Sequence, residues 1–440
     1  MRSSYREFNK RRKALMQRLE PNSIALLASA PARFRNADAE YSFRQNSDFF
    51  YLSGFTEQKA LLALMPGRKG GQTVLFCQEK NPQKELWEGI LMGPEVATET
   101  LGVDAAFPIG DIDEILPDLI DGRDRLYYSM GKDDSFDTQV MDWVKVIRSK
   151  SKLSAHPPGE FLVLDPLLHE LRLIKSKSEI KLMEQAAKIS AEGHRRAMLA
   201  CRPGIREYEL EAELLYTFTR NGSRAPAYNS IVATGQNACI LHYVENTAEV
   251  KEGDLVLIDA GCEYEHYASD ITRTFPASGK FSPEQKAIYE IVLKAQEAAI
   301  KAVKPGAAWD APHKASVRVI TRGLVKLGLL RGKPADLIKS EAYRDFYMHR
   351  VGHWLGMDVH DVGDYKIGAD WRRLQAGMVT TIEPGIYIAP DNSRVAKKWR
   401  GIGVRIEDDV LVTDSGARVL STGIPKTVAE IESFMATEAA

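Results

Sequence analysis

Cysteine is scarce in this 440-residue chain, and Cys77, Cys201, Cys239 and Cys262 stand far apart, with no Cys-x-x-Cys pair. That excludes a cysteine-built zinc site or a disulfide framework. Charge of one sign is also lacking. Lys plus Arg number 59 and Asp plus Glu 60, for a formal net charge of -1, so bulk charge does not hold the chain to nucleic acid or to an anionic membrane. No uncharged apolar run approaches the ~18 residues of a membrane span. The opening stretch, Met1 to Lys10, is polar and charged, unlike a secretory leader. A reducing cytoplasm is the expected compartment. What is present suits a large folded core rather than disorder: 44% hydrophobic and 27% charged residues. At about 150 residues per domain, the length suggests two or three domains.

The pattern of elements divides the chain. Residues 10–20 read as an amphipathic helix. Ser23–Ala30, Phe49–Leu52, Ala60–Leu64 and Thr73–Cys77 read as strands, with helical windows near 110–121 and 134–148. Strands alternating with helices predict a first α/β domain. A seam falls at His156-Pro157-Pro158-Gly159. Beyond it, Ser176 and Glu179 have capping-box spacing, so a helix of about 20 residues should run to just before Cys201. A second helix is expected at about 206–220. Strands follow, then helices at about 283–304 and 311–328, then mostly strands to residue 413.

The segment Asp254 to Phe275 carries chemistry. Asp259 ends an apolar strand, where a carboxylate is costly unless paired or metal-bound. Asp270 follows 11 residues later. A hairpin with a two- or four-residue loop can set the two directly opposite, ~5 Å apart at Cβ. Two carboxylates that close repel, and a dication between them resolves this. A strand-end cap and a separate solvated aspartate remain the plain alternative.

Three of the nine histidines, His349, His353 and His360, fall within 12 residues. His349 and His353 share a face if the segment is helical, though Gly352 and Gly356 argue against a regular helix. Glu383 closes the apolar run Val379-Thr380-Thr381-Ile382 before Pro384-Gly385. In Arg405-Ile406-Glu407-Asp408-Asp409, strand alternation puts Arg405, Glu407 and Asp409 on one face. Asp259, Asp270, His353, Glu383 and Glu407 make four carboxylates and an imidazole, which suits two divalent ions such as Mn²⁺, Co²⁺ or Zn²⁺ and a two-metal hydrolase.

These residues, in this order, resemble the pita-bread metallopeptidases, and within them the Xaa-Pro aminopeptidases (aminopeptidase P). Tyr41 to Phe55, Ile240-Leu241-His242-Tyr243, the Asp259/Asp270 hairpin, His349 to Gly363, Glu383-Pro384-Gly385 and Arg405-Ile406-Glu407-Asp408 carry the likeness over nearly the whole chain. The resemblance implies an α/β class architecture. Residues 1–172 would form a creatinase-like N-terminal α/β domain serving oligomerisation and substrate access. Residues 173–440 would form a pita-bread α+β catalytic domain. It implies two divalent ions, Mn²⁺ by preference, and a bridging hydroxide that attacks the carbonyl before proline. Asp259, Asp270 and Glu407 would bind one ion, with Asp270 and Glu407 bridging; His353 and Glu383 would complete the other's shell. Glu383 would also accept a proton. His242 and His360 would stabilise the intermediate or move protons. Tyr228, His349 and Arg405 would line or support the substrate site. Trp87 resembles an aromatic that family members lend to a neighbouring subunit, although Ile90 and Leu91 stand where arginines are often found.

The expected substrate is a peptide with proline in second position, and the expected assembly a homodimer or homotetramer. A prolidase, cutting Xaa-Pro dipeptides only, shares all five ligands and is the nearest alternative. A non-enzymatic binding module would have lost ligands, and this chain keeps each of them.

Overall fold

The computed structural model describes residues 5–150 and 154–436. The chain divides into two compact units, Met1–Arg172 and Leu173–Ala440. The first is α/β and the second α+β, the classes expected.

The first unit is built on a six-stranded sheet in the order Ala105–Pro108, Thr73–Cys77, Leu61–Leu64, Ser23–Ala28, Arg125–Tyr128, Glu160–Val163. Period-two alternation turns Ile24, Leu26, Leu126 and Tyr128 to one face. There they pack against Leu116 and Ile120 of helix Ile112–Ile120 and Val140, Trp143 and Ile147 of helix Asp134–Ser149. Buried Arg12 ties helix Tyr5–Met16 to two helix ends, donating to the Leu52 carbonyl at 2.9 Å and the Leu101 carbonyl at 2.9 Å. These are carbonyls that a helix terminus leaves without partners.

One expected strand is a helix. Phe49–Leu52 lies within helix Ser47–Ser53. Its ends overrule the aromatic β-propensity: the Asn46 side chain accepts from the Phe49 amide at 3.0 Å, and Gly54 closes the helix at φ 67°. A short apolar run cannot by itself distinguish the two states.

In the second unit the capping box of Ser176 and Glu179 starts helix Lys177–Ala200, followed by helix Glu207–Arg220. Helices Pro283–Ala302 and Ala311–Lys326 form a second packed pair. Between them lie antiparallel strands. Leu255–Asp259 pairs with Ile231–Thr234 and Thr272–Pro276; Val379–Ile382 with Asp408–Val412; Gly385–Ile388 with Ile402–Arg405. The stretch from 329 to 378, expected to be mostly strand, holds instead the short helix Pro334–Lys339 and long irregular runs. Its backbone is tied down by scattered bonds to distant segments rather than by a continuous ladder: Trp354 forms an isolated bridge to Thr380, and the Tyr387 amide donates to the Phe346 carbonyl at 2.9 Å.

Candidate metal centre

The acidic hairpin forms, two residues out of the expected register. Asp259 pairs with Thr272, not Asp270, and the turn is the two-residue loop Glu265-His266, both at positive φ. Asp270 lies just before the returning strand. The carboxylates converge nonetheless. The Tyr228 hydroxyl lies 2.6 Å from Asp259 Oδ1 and 2.5 Å from Asp270 Oδ1. One hydroxyl carries one proton, so Tyr228 can donate to only one of the two carboxyls at a time. Helix Lys177–Ala200 supports the hairpin from behind. Ser190 bonds Ser269 at 2.7 Å, and a His194 ring nitrogen lies 2.9 Å from the Ala260 carbonyl.

His353 sits on an irregular segment that runs beside strand Val379–Ile382. The Thr381 amide donates to the His353 carbonyl at 3.0 Å, and the Glu383 amide to the Val351 carbonyl at 2.7 Å. So close an approach requires Gly352, since a Cβ there would meet the Thr381 carbonyl at 1.9 Å. His353 Nδ1 lies 2.9 Å from the Trp354 carbonyl, which fixes that nitrogen as the donor. Nε2 then faces Asp270 at 3.4 Å and Glu383 at 3.8 Å. A lone pair aimed at carboxylates calls for a proton or a cation between them.

The strand expected through Arg405-Ile406-Glu407-Asp408-Asp409 is broken after Arg405 and resumes at Asp408, yet its alternation persists. Arg405 donates to Asp259 at 2.7 Å, and Thr272 Oγ1 to Glu407 at 2.7 Å. The Asp270 amide reaches Asp409 Oδ1 at 3.2 Å. Asp408 faces the other way, where it accepts from Arg273 at 2.8 Å, Gln296 at 2.7 Å and Lys426 at 2.8 Å. Arg273 also donates to the Glu407 carbonyl at 2.6 Å.

The result is a surplus of buried acid. Donor atoms of Asp270, His353 and Glu407 all lie within 4.8 Å of one another. Burial and neighbouring carboxylates push Glu407 and Asp409 well above the carboxylate range, and raise Asp259 against the pull of Arg405. Burial carries Glu383 up to about 7. Burial opposes the charged form of His353, but Asp270 and Glu383 outweigh it and lift the imidazole to about 9. Five carboxylates thus share one guanidinium and one imidazole. Oxygen and nitrogen donors in such surplus fit divalent ions, whose charge would let all of them ionise together.

Asp259, His353, Glu383 and Arg405 line a cavity of about 670 Å³, together with His242, His349 and His360. His360 stacks edge-on to His353 with ring centroids 4.3 Å apart. The buried pair Lys175–Asp361, at 2.8 Å, anchors the chain next to His360. His349 is held neutral: burial lowers it to about 3, and it accepts from the Tyr387 hydroxyl at 2.9 Å, which in turn accepts from Arg405 at 2.9 Å. Sequence reasoning passed over Tyr387. Its signal was alternation, since Glu383, Gly385 and Tyr387 fall on one side of an extended chain. Trp87 lies in the first unit, in helix Pro82–Glu88, and is 87% exposed.

Comparison with known proteins identifies the family. Metallopeptidase family M24 matches residues 181–414, and the aminopeptidase P N-terminal domain matches residues 8–127. The Xaa-Pro aminopeptidase of Escherichia coli (strain K12) is 45% identical over 434 residues, covering 98% of each chain. That of Haemophilus influenzae is 46% identical, covering 98% of this chain and 97% of the relative. The solved structure of Pseudomonas aeruginosa aminopeptidase PepP superposes with a TM-score of 0.98 at 61% identity, over 99% of this chain and 98% of that one. The chain belongs to metallopeptidase family M24, with an aminopeptidase P N-terminal domain preceding the M24 domain.

Proposed function

We infer that this chain is an Xaa-Pro aminopeptidase, a metallo-exopeptidase that releases the N-terminal residue from peptides with proline in second position. The observation that carries this reading is the buried donor set of Asp270, His353 and Glu407 within 4.8 Å, with Asp259 and Glu383 beside it at the cavity. Structures of the E. coli relative with substrate and with the inhibitor Pro-Leu support peptide binding.

Asp259, Asp270, His353, Glu383 and Glu407 would hold two divalent ions, assigned here as Mn²⁺ with Co²⁺ or Zn²⁺ able to substitute. When bound, such ions supply a Lewis acid and lower the pKa of water towards neutrality. The remaining work falls to this chain's own residues. Glu383 accepts the proton of the attacking water. The nitrogen of the bond to proline leaves as an amine, so it must take up a proton as the bond breaks. His360 or His242, both on the cavity wall, serve as that donor and as hydrogen-bond partners for the developing oxyanion. Arg405 keeps Asp259 aligned, Tyr228 spans Asp259 and Asp270, and His349 orders the wall through Tyr387. We further assign the protein to the cytoplasm, in keeping with four free cysteines, and to a homo-oligomer in which exposed Trp87 meets a neighbouring subunit. Domain roles follow: residues 1–172 serve assembly and access, and residues 173–440 carry catalysis.

The test is hydrolysis of Xaa-Pro-Xaa and Xaa-Pro peptides by metal-stripped protein, with and without Mn²⁺. Mn²⁺-dependent release of the first residue from the tripeptide is expected. Cleavage of the dipeptide alone would mean prolidase instead, and silence on both with metal bound would mean a binding module.

A further inference from the structure

The cavity wall carries two arginines in unlike circumstances. Arg405 is buried and committed to Asp259. Arg350 is exposed and has no carboxylate partner among the described residues. It is nevertheless held in place, because its guanidinium lies over the Trp371 ring, 5.1 Å from the centroid. Trp371 is itself built in. It pairs with Lys366 in the hairpin of Lys366–Ile367 and Asp370–Trp371, and lies 5.6 Å from Trp309, centroid to centroid. The Lys366 ammonium lies 4.7 Å from the same indole and likewise has no carboxylate partner among the described residues. Both acidic lining residues, Asp259 and Glu383, belong to the donor set. The cavity therefore has an acidic pole that would take metal and, beyond it, an exposed cationic edge with its charge unspent.

A peptide whose scissile bond lies at the donor set must pass its leaving portion along this wall. We propose that Arg350, seated on Trp371, receives a carboxylate on the leaving side of the peptide: the C-terminal carboxylate of a short peptide or an acidic side chain just beyond the proline. Arg350 is then a specificity-determining residue, with Lys366 adding to the field. The inference rests on the aminopeptidase reading above. Planar guanidinium suits carboxylate, and stacking on an indole preorganises it without neutralising it. Because the group is exposed, the effect is a preference and not a requirement, and salt weakens it.

Two series of Mn²⁺-loaded reactions test this. In the first, Xaa-Pro-Xaa tripeptides are compared as free acid and as C-terminal amide. In the second, longer amidated peptides carry Glu or Gln directly after proline. The wild type should favour the carboxylate member of at least one series by about 2- to 5-fold in kcat/KM, through KM, with the preference shrinking as salt is added. Arg350→Gln should bring that ratio to about one while leaving turnover of the neutral member unchanged, and Arg350→Lys should retain part of it. The first series responding assigns a C-terminal carboxylate; the second, an acidic side chain. Ratios in both series that are the same in wild type and Arg350→Gln would overturn the inference. Failure of the wild type to cleave any of these peptides would overturn the aminopeptidase reading instead.

Discussion

Each half of the molecule gathers two carboxylates and a histidine with donor atoms within 4.8 Å, Asp48, Asp165 and His169 in the first unit and Asp270, His353 and Glu407 in the second. Only their surroundings differ. In the first unit, Asp48 accepts from Arg172 at 2.7 Å and faces His169 at 3.4 Å, while Lys132 binds Asp165 at 2.7 Å. Burial opposes its ionisation, but His169 and Arg172 outweigh that and hold Asp48 well below the usual carboxylate range. In the second unit the acids outnumber the bases, and Glu407, Asp259 and Glu383 are all pushed up. Closeness of donors is thus a poor mark of a metal site. Uncompensated charge is the better one, because a paired cluster is already satisfied and a surplus is not.

Substitutions can break that contrast. Glu383→Gln should lower kcat by about 10²- to 10⁴-fold as the proton acceptor is lost; full activity in the variant would discard this assignment of the site. Neutralisation should act oppositely on the two clusters of metal-free protein. Asp48→Asn removes the carboxylate that Arg172 and His169 face and should lower the metal-free Tm. Glu407→Gln relieves repulsion and should raise the metal-free Tm. A fall in both Tm values would mean the acids of the second unit are compensated after all. Saturating Mn²⁺, at about 100 times its Kd, should stabilise the wild type by about 2.7 kcal/mol. Asp48→Asn should keep that gain and Glu407→Gln should lose most of it, as calorimetric titration would register.

The pH dependence has opposite signs in the two units. Asp48 has a depressed folded pKa, so its contribution is present above the ordinary aspartate value and lost as pH falls below about 4. Glu383 has a raised one, so in metal-free protein its penalty is absent in acid and grows as pH rises from about 4.3 towards about 7. Hydrogen exchange resolved by segment should show the first unit loosening in acid and the second loosening towards neutrality. Smallest in effect, Ser176→Ala removes the capping box of helix Lys177–Ala200 and should cost ~1 kcal/mol, with kcat unchanged.

Much of the fold was legible because it is local. The Ser176–Glu179 cap, the four long helices of the second unit and strands such as Thr73–Cys77 follow from periodicity and end signals within a few residues. Phe49–Leu52 was misread because four apolar residues suit either state, and Asn46 and Gly54 decide between them. Of the site, Asp259 and Glu383 stood out as carboxylates closing apolar strands, His353 as one of three clustered histidines, Asp270 by its spacing from Asp259 and Glu407 by alternation with Arg405. Tyr387 and Arg273 did not, because their importance lies in partners that are distant in sequence or on the backbone, namely His349 and Arg405 for one and the Glu407 carbonyl for the other.

The sequence by itself determined which elements form and which residues carry charge into apolar surroundings, since both depend on neighbours along the chain. Register and electrostatic balance were decided only in the tertiary structure. The two-residue turn at Glu265-His266 moved Asp259 opposite Thr272, and convergence on Tyr228 brought Asp270 back beside it. Whether a buried carboxylate meets an arginine, as Asp48 does, or further carboxylates, as Glu407 does, depends on segments more than a hundred residues apart. Coulomb energy in a buried site is set by those through-space distances, which residue order alone does not contain.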